Sequence, residues 1–204
     1  MNVSLLNLKA QYAGLKPEIE AKVLEVIASQ QFVLGPEVEA LEKEVAALSG
    51  TAHAVGVSSG TDAILVALMA LEVGPGDAVL TTPFTFFATA GTIARLGARP
   101  VFADIDRATY NLSPADAERR ITPRTKAIIA VAVAGRPVDC DAFAALAARY
   151  NLKLIIDAAQ AVGAEWRGKS LCSYGDVASI SCQNTKNLTC GEGGIILTGS
   201  KALD

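Results

Sequence analysis

Lys186 stands in a polar stretch, Ser181 to Gly194, that separates two apolar, strand-like runs, Val177 to Ile180 and Ile195 to Leu197. A lysine on a loop pinned at both ends by buried β structure, beside a glycine-rich turn that lets backbone approach a ligand, can be desolvated enough to act as a neutral amine. Asp157 follows another apolar run, Lys153 to Ile156, and opens Asp157-Ala158-Ala159-Gln160. A carboxylate at that place is expensive to bury unless it meets a cation or several donors. After Val57 comes Ser58-Ser59-Gly60-Thr61-Asp62, a small-residue turn running into a helix. Its free N–H groups, the helix dipole and the Thr61 hydroxyl suit an anion, although the same residue types also make a plain helix cap. After Leu80, the segment Thr81 to Phe87 carries three aromatics at a strand end. One of them can lie against a planar heterocycle or pack into the core.

One ligand uses all of these groups. Pyridoxal 5′-phosphate needs a lysine for its aldehyde, a carboxylate opposite its ring nitrogen, an aromatic against its face and an anion site for its phosphate. Lys186, Asp157, Phe86 and the Gly60-Thr61 turn supply them in that order.

Positioning these residues requires strands whose carboxyl ends share one edge, which is where open α/β sheets bind ligands. Short β-like runs at 54–57, 78–80, 100–103, 127–131 and 153–156 alternate with helical patterns at 62–71, 86–96, 114–120 and 139–150. That rhythm predicts a parallel sheet covered by helices on both faces. With 177–180 and 195–197 the count is about seven strands, and the last need not be parallel, because no helical pattern joins it to its predecessor. Ahead of the sheet, Pro17 to Ser29 predicts an amphipathic helix opened by proline, and a second helix follows Gly35-Pro36 and stops at Gly50. The expected organisation is an N-terminal helical segment over 1–50 and a sheet domain over 51–204.

Composition excludes several other classes. The 204 residues are 51% hydrophobic, yet the longest apolar run, Ala127 to Gly135, is too short to cross a bilayer. The N-terminus lacks the basic start and apolar block of a signal peptide, so a cytoplasmic protein is expected. A net charge of −3 without a Lys/Arg cluster gives no footprint for nucleic acid. His53 is the single histidine and the four cysteines form no C-x-x-C pair, so neither a metal site nor a Ser-His-Asp triad is expected, and the cysteines read as buried reduced thiols.

The sequence also resembles the sugar aminotransferases of the DegT/DnrJ/EryC1/StrS group, fold-type I pyridoxal-phosphate enzymes. The likeness runs through Gly35 to Glu42, Ser59-Gly60-Thr61-Asp62-Ala63, Gly74-Pro75-Gly76-Asp77, Ile121 to Ile129, Asp157-Ala158-Ala159-Gln160, and Thr185-Lys186-Asn187-Leu188-Thr189 with Gly191-Glu192-Gly193-Gly194. It implies a three-layer large domain in which Lys186 bonds the cofactor aldehyde, Asp157 pairs with the pyridinium nitrogen and Gln160 lies near the phenolic oxygen. It implies further that Gly60, Thr61 and Ser181 hold the phosphate and that Phe86 occupies the stacking position. The activity implied is transfer of an amino group, with glutamate as donor, to a nucleotide-linked keto sugar by a homodimer. Two departures stand out. Ala130-Val131-Ala132 replaces the Pro-Val-His common in the group, and the smaller C-terminal domain of the group is absent from the 204 residues. A catalytically incomplete cofactor-binding domain and another pyridoxal-phosphate reaction on the same scaffold are the alternatives.

Overall fold

A computed structural model describes residues 6–203. They form two compact units, one of residues up to Leu41 and one from Glu42 onward.

In the first unit, α1 runs over Leu8–Ser29, with Asn7 accepting from the Ala10 N–H at 3.1 Å. The helix therefore begins before the proline that the sequence marks as its opening. Pro17 lies inside it, where it lacks an N–H and removes one hydrogen bond without ending the helix. None of the α1 residues is buried, and Val23, Leu24 and Ile27 are all more than half exposed, so the expected apolar face is left open. Lys22 pairs with Glu25 at 2.7 Å and Glu37 at 3.3 Å. Glu37 belongs to α2 (Pro36–Ser49), which carries the chain into the second unit.

The second unit is built on seven strands: β1 (His53–Val57), β2 (Ala78–Thr81), β3 (Arg99–Phe102), β4 (Thr125–Val131), β5 (Lys153–Asp157), β8 (Val177–Ser181) and β9 (Gly194–Thr198). A separate antiparallel pair, β6 (Glu165–Trp166) and β7 (Lys169–Ser170), lies between β5 and β8 in the chain. The order across the sheet is β1-β9-β8-β5-β4-β2-β3. All adjacent pairs from β8 to β3 are parallel, whereas β9 is antiparallel to both of its neighbours. The seven strands and the antiparallel last strand are those the sequence predicts.

Four helices follow the strands: α3 (Gly60–Ala70), α4 (Phe87–Arg95), α5 (Pro114–Arg120) and α6 (Cys140–Tyr150). Their starts are set locally. Ser59, Ser113 and Asp139 each accept a backbone N–H three residues on, and Asn151 closes α6 in the left-handed region at φ 52°. Continuous apolar runs such as Ala127 to Val131 are buried on both faces of the sheet, as a covered parallel sheet requires. Alternate residues feed two cores. Leu154, Ile156, Ala178 and Ile180 pack with Phe143 and Leu146 of α6. Ile155, Val177 and Ile196 pack with Ile64 and Leu68 of α3 and Ile93 of α4. The result is three layers. Among the described residues, no helix is long and apolar enough to cross a membrane.

Candidate active site

Register decides which residues meet. Val57 of β1 and Ser181 of β8 both pair with Gly194, the first residue of β9. Asp157 of β5 pairs with Ser179 on one side and Val131 on the other. The ends of β1, β8, β5 and β4 therefore lie along one edge of the sheet. Asp157 follows Ile155 by two residues, so it faces the α3–α4 layer, and Ser179 faces the same way beyond Val177.

A cavity of about 450 Å³ opens at this edge, and Gly60, Thr61, Phe86, Asp157, Gln160, Ser181 and Lys186 all line it. These are the seven residues singled out from the sequence. Thr85, Thr89, Gln183, Thr185 and Glu192 join them.

Asp157 is 4% exposed. Its Oδ1 accepts from the Ala159 N–H at 3.1 Å and its Oδ2 from the Thr89 hydroxyl at 3.3 Å. Burial pushes its carboxyl above the usual carboxylate range, opposed by those two hydrogen bonds and by the charge of Lys186. Ser179 Oγ is buried without a hydrogen-bond partner of proper geometry, yet it is close enough to Asp157 to favour its charged form as well. No ion pair among the described residues neutralises this carboxylate. Thr89 and Ser179 are the partners that sequence reasoning missed. Thr89 lies on a helix three residues after Phe86, and Ser179 is hidden inside an apolar strand.

At the start of α3 the Ser59 hydroxyl takes the Asp62 N–H at 3.0 Å and the Ser59 carbonyl takes that of Ala63 at 2.9 Å. The Gly60 and Thr61 N–H groups have no acceptor among the described residues. Both residues line the cavity at the positive end of the helix. Gly60 is required here: a Cβ on it would come within 2.5 Å of Ser181 Cβ and 2.9 Å of Ser181 Oγ. Gly194 lies tighter still, against the Ser59 carbonyl.

Lys186, half-buried, sits on the loop between β8 and β9. The Lys186 N–H donates to Gln183 O at 2.9 Å, and Asn187 Nδ2 donates to Val162 O at 2.8 Å, so the loop is anchored on both sides of the lysine. Gln160 Oε1 accepts from the Ala134 N–H at 2.8 Å, which fixes its side chain at the cavity rim. Phe86 is 71% exposed and lines the cavity rather than packing into the core. The expectation of buried cysteines holds for Cys140, Cys172 and Cys182 but not for Cys190, which lies in the polar loop and is exposed.

A buried carboxylate without an ion pair among the described residues, a half-buried lysine and two unpartnered N–H groups thus surround one cavity. Residues 14–204 match the DegT/DnrJ/EryC1/StrS aminotransferase family. The chain belongs to that family. It is 50% identical over its whole length to a pleiotropic regulatory protein of Geobacillus stearothermophilus, of which it covers 55%. It is 44% identical over 99% of its length to a UDP-N-acetyl-3-dehydro-alpha-D-glucosamine 3-aminotransferase of Acidithiobacillus ferrooxidans, again covering 55%. The crystal structure of S. venezuelae DesV superposes with a TM-score of 0.96 at 42% identity, over 98% of this chain and 54% of that one. This member of the DegT/DnrJ/EryC1/StrS family thus spans about half the length of the relatives it matches.

Proposed function

We propose that residues 1–204 are the cofactor-binding large domain of a pyridoxal-phosphate-dependent aminotransferase that transfers an amino group from glutamate to a nucleotide-linked keto sugar. The observation that carries this reading is Asp157, a buried carboxylate held by two hydrogen bonds, without an ion-pair contact among the described residues and lining the cavity that Lys186 also lines. The aminotransferases of this family are pyridoxal-phosphate enzymes.

The residues present fit that cofactor. The free Gly60 and Thr61 N–H groups, with the Thr61 and Ser181 hydroxyls, would hold its phosphate at the α3 N-terminus. Asp157 would accept a hydrogen bond from the ring nitrogen and keep it protonated. Thr89 and Ala159 hold the Asp157 oxygens in place for this. Gln160 would lie near the phenolic oxygen, and Phe86 would cover the ring and exclude water. When bound, pyridoxal phosphate supplies an electron sink for the carbanion that amino transfer requires. Lys186 Nζ would hold the cofactor through its aldehyde and, as a free amine, carry a proton to and from the substrate carbon. A homodimer and a cytoplasmic location belong to the same proposal.

The test is a half-reaction. The 204-residue chain loaded with pyridoxal phosphate and given glutamate should form one 2-oxoglutarate per loaded site, and none with Lys186→Ala. Because the chain spans about half of its relatives, a second reading has support: a domain that captures the cofactor without turning it over. Cofactor capture without 2-oxoglutarate would favour that one.

A further inference from the structure

The loop that carries Lys186 begins at Cys182 and closes at Cys190. The Cys182 N–H donates to Gly193 O at 2.9 Å and the Cys190 N–H donates to Cys182 O at 3.1 Å, so the two cysteines sit on hydrogen-bonded backbone segments. Gln183 and Gly191 form a parallel bridge, so Cys182 and Cys190 lie opposite each other one residue earlier, at a strand spacing of about 4.8 Å that falls inside the window of roughly 4.4–6.8 Å a disulfide requires. Their side chains converge as well. A Cβ built on Gly193 would stand 2.8 Å from Cys190 Sγ and 3.6 Å from Cys182 Cβ, so both cysteines press into the space this glycine leaves open. Cys190 Sγ donates to Glu192 O at 3.1 Å and lies 3.9 Å from Cys182 O.

We propose that Cys182 and Cys190 are a redox modification site, a disulfide that staples the two ends of the Lys186 loop. The oxidant is a small disulfide such as oxidised glutathione. Exposed Cys190, as thiolate, attacks one of its sulfurs and expels one glutathione thiolate, leaving a mixed disulfide. Cys182 gives its proton to solvent, attacks the Cys190 sulfur and expels the second glutathione. The protein loses two thiols and two electrons, and one small disulfide becomes two thiols. Burial, with the neighbouring Cys190 thiol, pushes the Cys182 thiol up to about 11, which makes Cys190 the entry point and Cys182 the slower resolving group. The closed ring runs over residues 182–190 and holds Lys186 at its middle, so oxidation limits the movement of the lysine that lines the cavity.

The test treats the full chain with oxidised glutathione, blocks remaining thiols under denaturing conditions and maps the digest. Two of the four thiols should be lost to a reductant-sensitive Cys182–Cys190 cross-link, with Cys140 and Cys172 still blocked as thiols. Hydrogen exchange of the amides over 183–189 should slow on oxidation and recover on reduction. Cys182→Ser and Cys190→Ser should each abolish both effects, while Cys140→Ser should leave them unchanged. Three results would overturn the proposal: arrest at a glutathione adduct on Cys190, a cross-link through Cys140 or Cys172, or closure with no change in loop exchange.

Discussion

Thr89 Oγ1 donates to Asp157 Oδ2 across 3.3 Å, joining α4 to the end of β5 over 68 positions of sequence. The bond matters because burial disfavours the Asp157 charge and only a few donors oppose that cost.

Asp157→Asn should therefore separate stability from function. Burial raises the folded-state pKa of this group above its ordinary 3.8, so the protonated acid is the form that folding favours. The stability this gives is fully present below 3.8 and is lost as pH rises through the raised value. In cofactor-free protein the Asn variant should match the parent near the acid end and exceed it at neutral pH by about 1–3 kcal/mol, the usual cost of a poorly paired buried group. Amino transfer should fall about 100-fold, since an amide cannot hold a ring proton by charge. Thermal melts of cofactor-free protein from pH 3 to 8 check the first half, and 2-oxoglutarate formed from glutamate by the pyridoxal-phosphate-loaded proteins checks the second. A variant as active as the parent would remove the assigned role.

Gly60→Ala should damage the anion site and the fold together. Its Cβ would meet Ser181 Cβ at 2.5 Å, and neither the strand nor the helix start can yield freely. Overpacking of this kind costs about 1–3 kcal/mol. Gly194→Ala should cost more, because its obstacle is the Ser59 backbone carbonyl rather than a side chain. Urea denaturation ranks the two, and protection of the parent by inorganic phosphate should be lost in Gly60→Ala.

How much was legible beforehand follows from the sheet. In a parallel array the carboxyl ends of the strands share an edge, so the residues just after apolar runs could be collected without coordinates, and Gly60, Phe86 and Asp157 came together in this way, whereas Ser181 and Gln160 entered through the family resemblance. Thr89 was missed because nothing local in Phe86 to Thr92 reveals a partner on β5. The two-residue strands β6 and β7 are too short to show any period. The start of α1 was misjudged because proline usually marks a first turn, whereas Asn7 supplies an earlier cap.

Acid stability should report on Asp116, which does not line the cavity. Its carboxylate accepts from the Asp104 N–H at 2.7 Å, from Arg119 at 2.7 Å and from Arg120 at 3.0 Å, tying α5 to the chain after β3. The Asp104 N–H first, then Arg119 and Arg120, hold its pKa down at about 2. A depressed pKa gives stability that is present above 3.8 and lost as pH falls through about 2. Asp116→Asn should cost about 1–3 kcal/mol at neutral pH and nothing at the acid end. Melting curves across that window test it, and a constant offset between the two proteins would refute the linkage.

Lys186 gives the most direct measurement. The 204-residue chain is incubated with pyridoxal phosphate, reduced with borohydride, digested and mapped by mass spectrometry. The expected result is one pyridoxyl group on the peptide containing Lys186, blocked by prior inorganic phosphate and absent from Lys186→Ala. A label spread over surface lysines such as Lys16 and Lys153, or unchanged labelling in the Lys186→Ala chain, would contradict a cofactor site between Asp157 and Lys186.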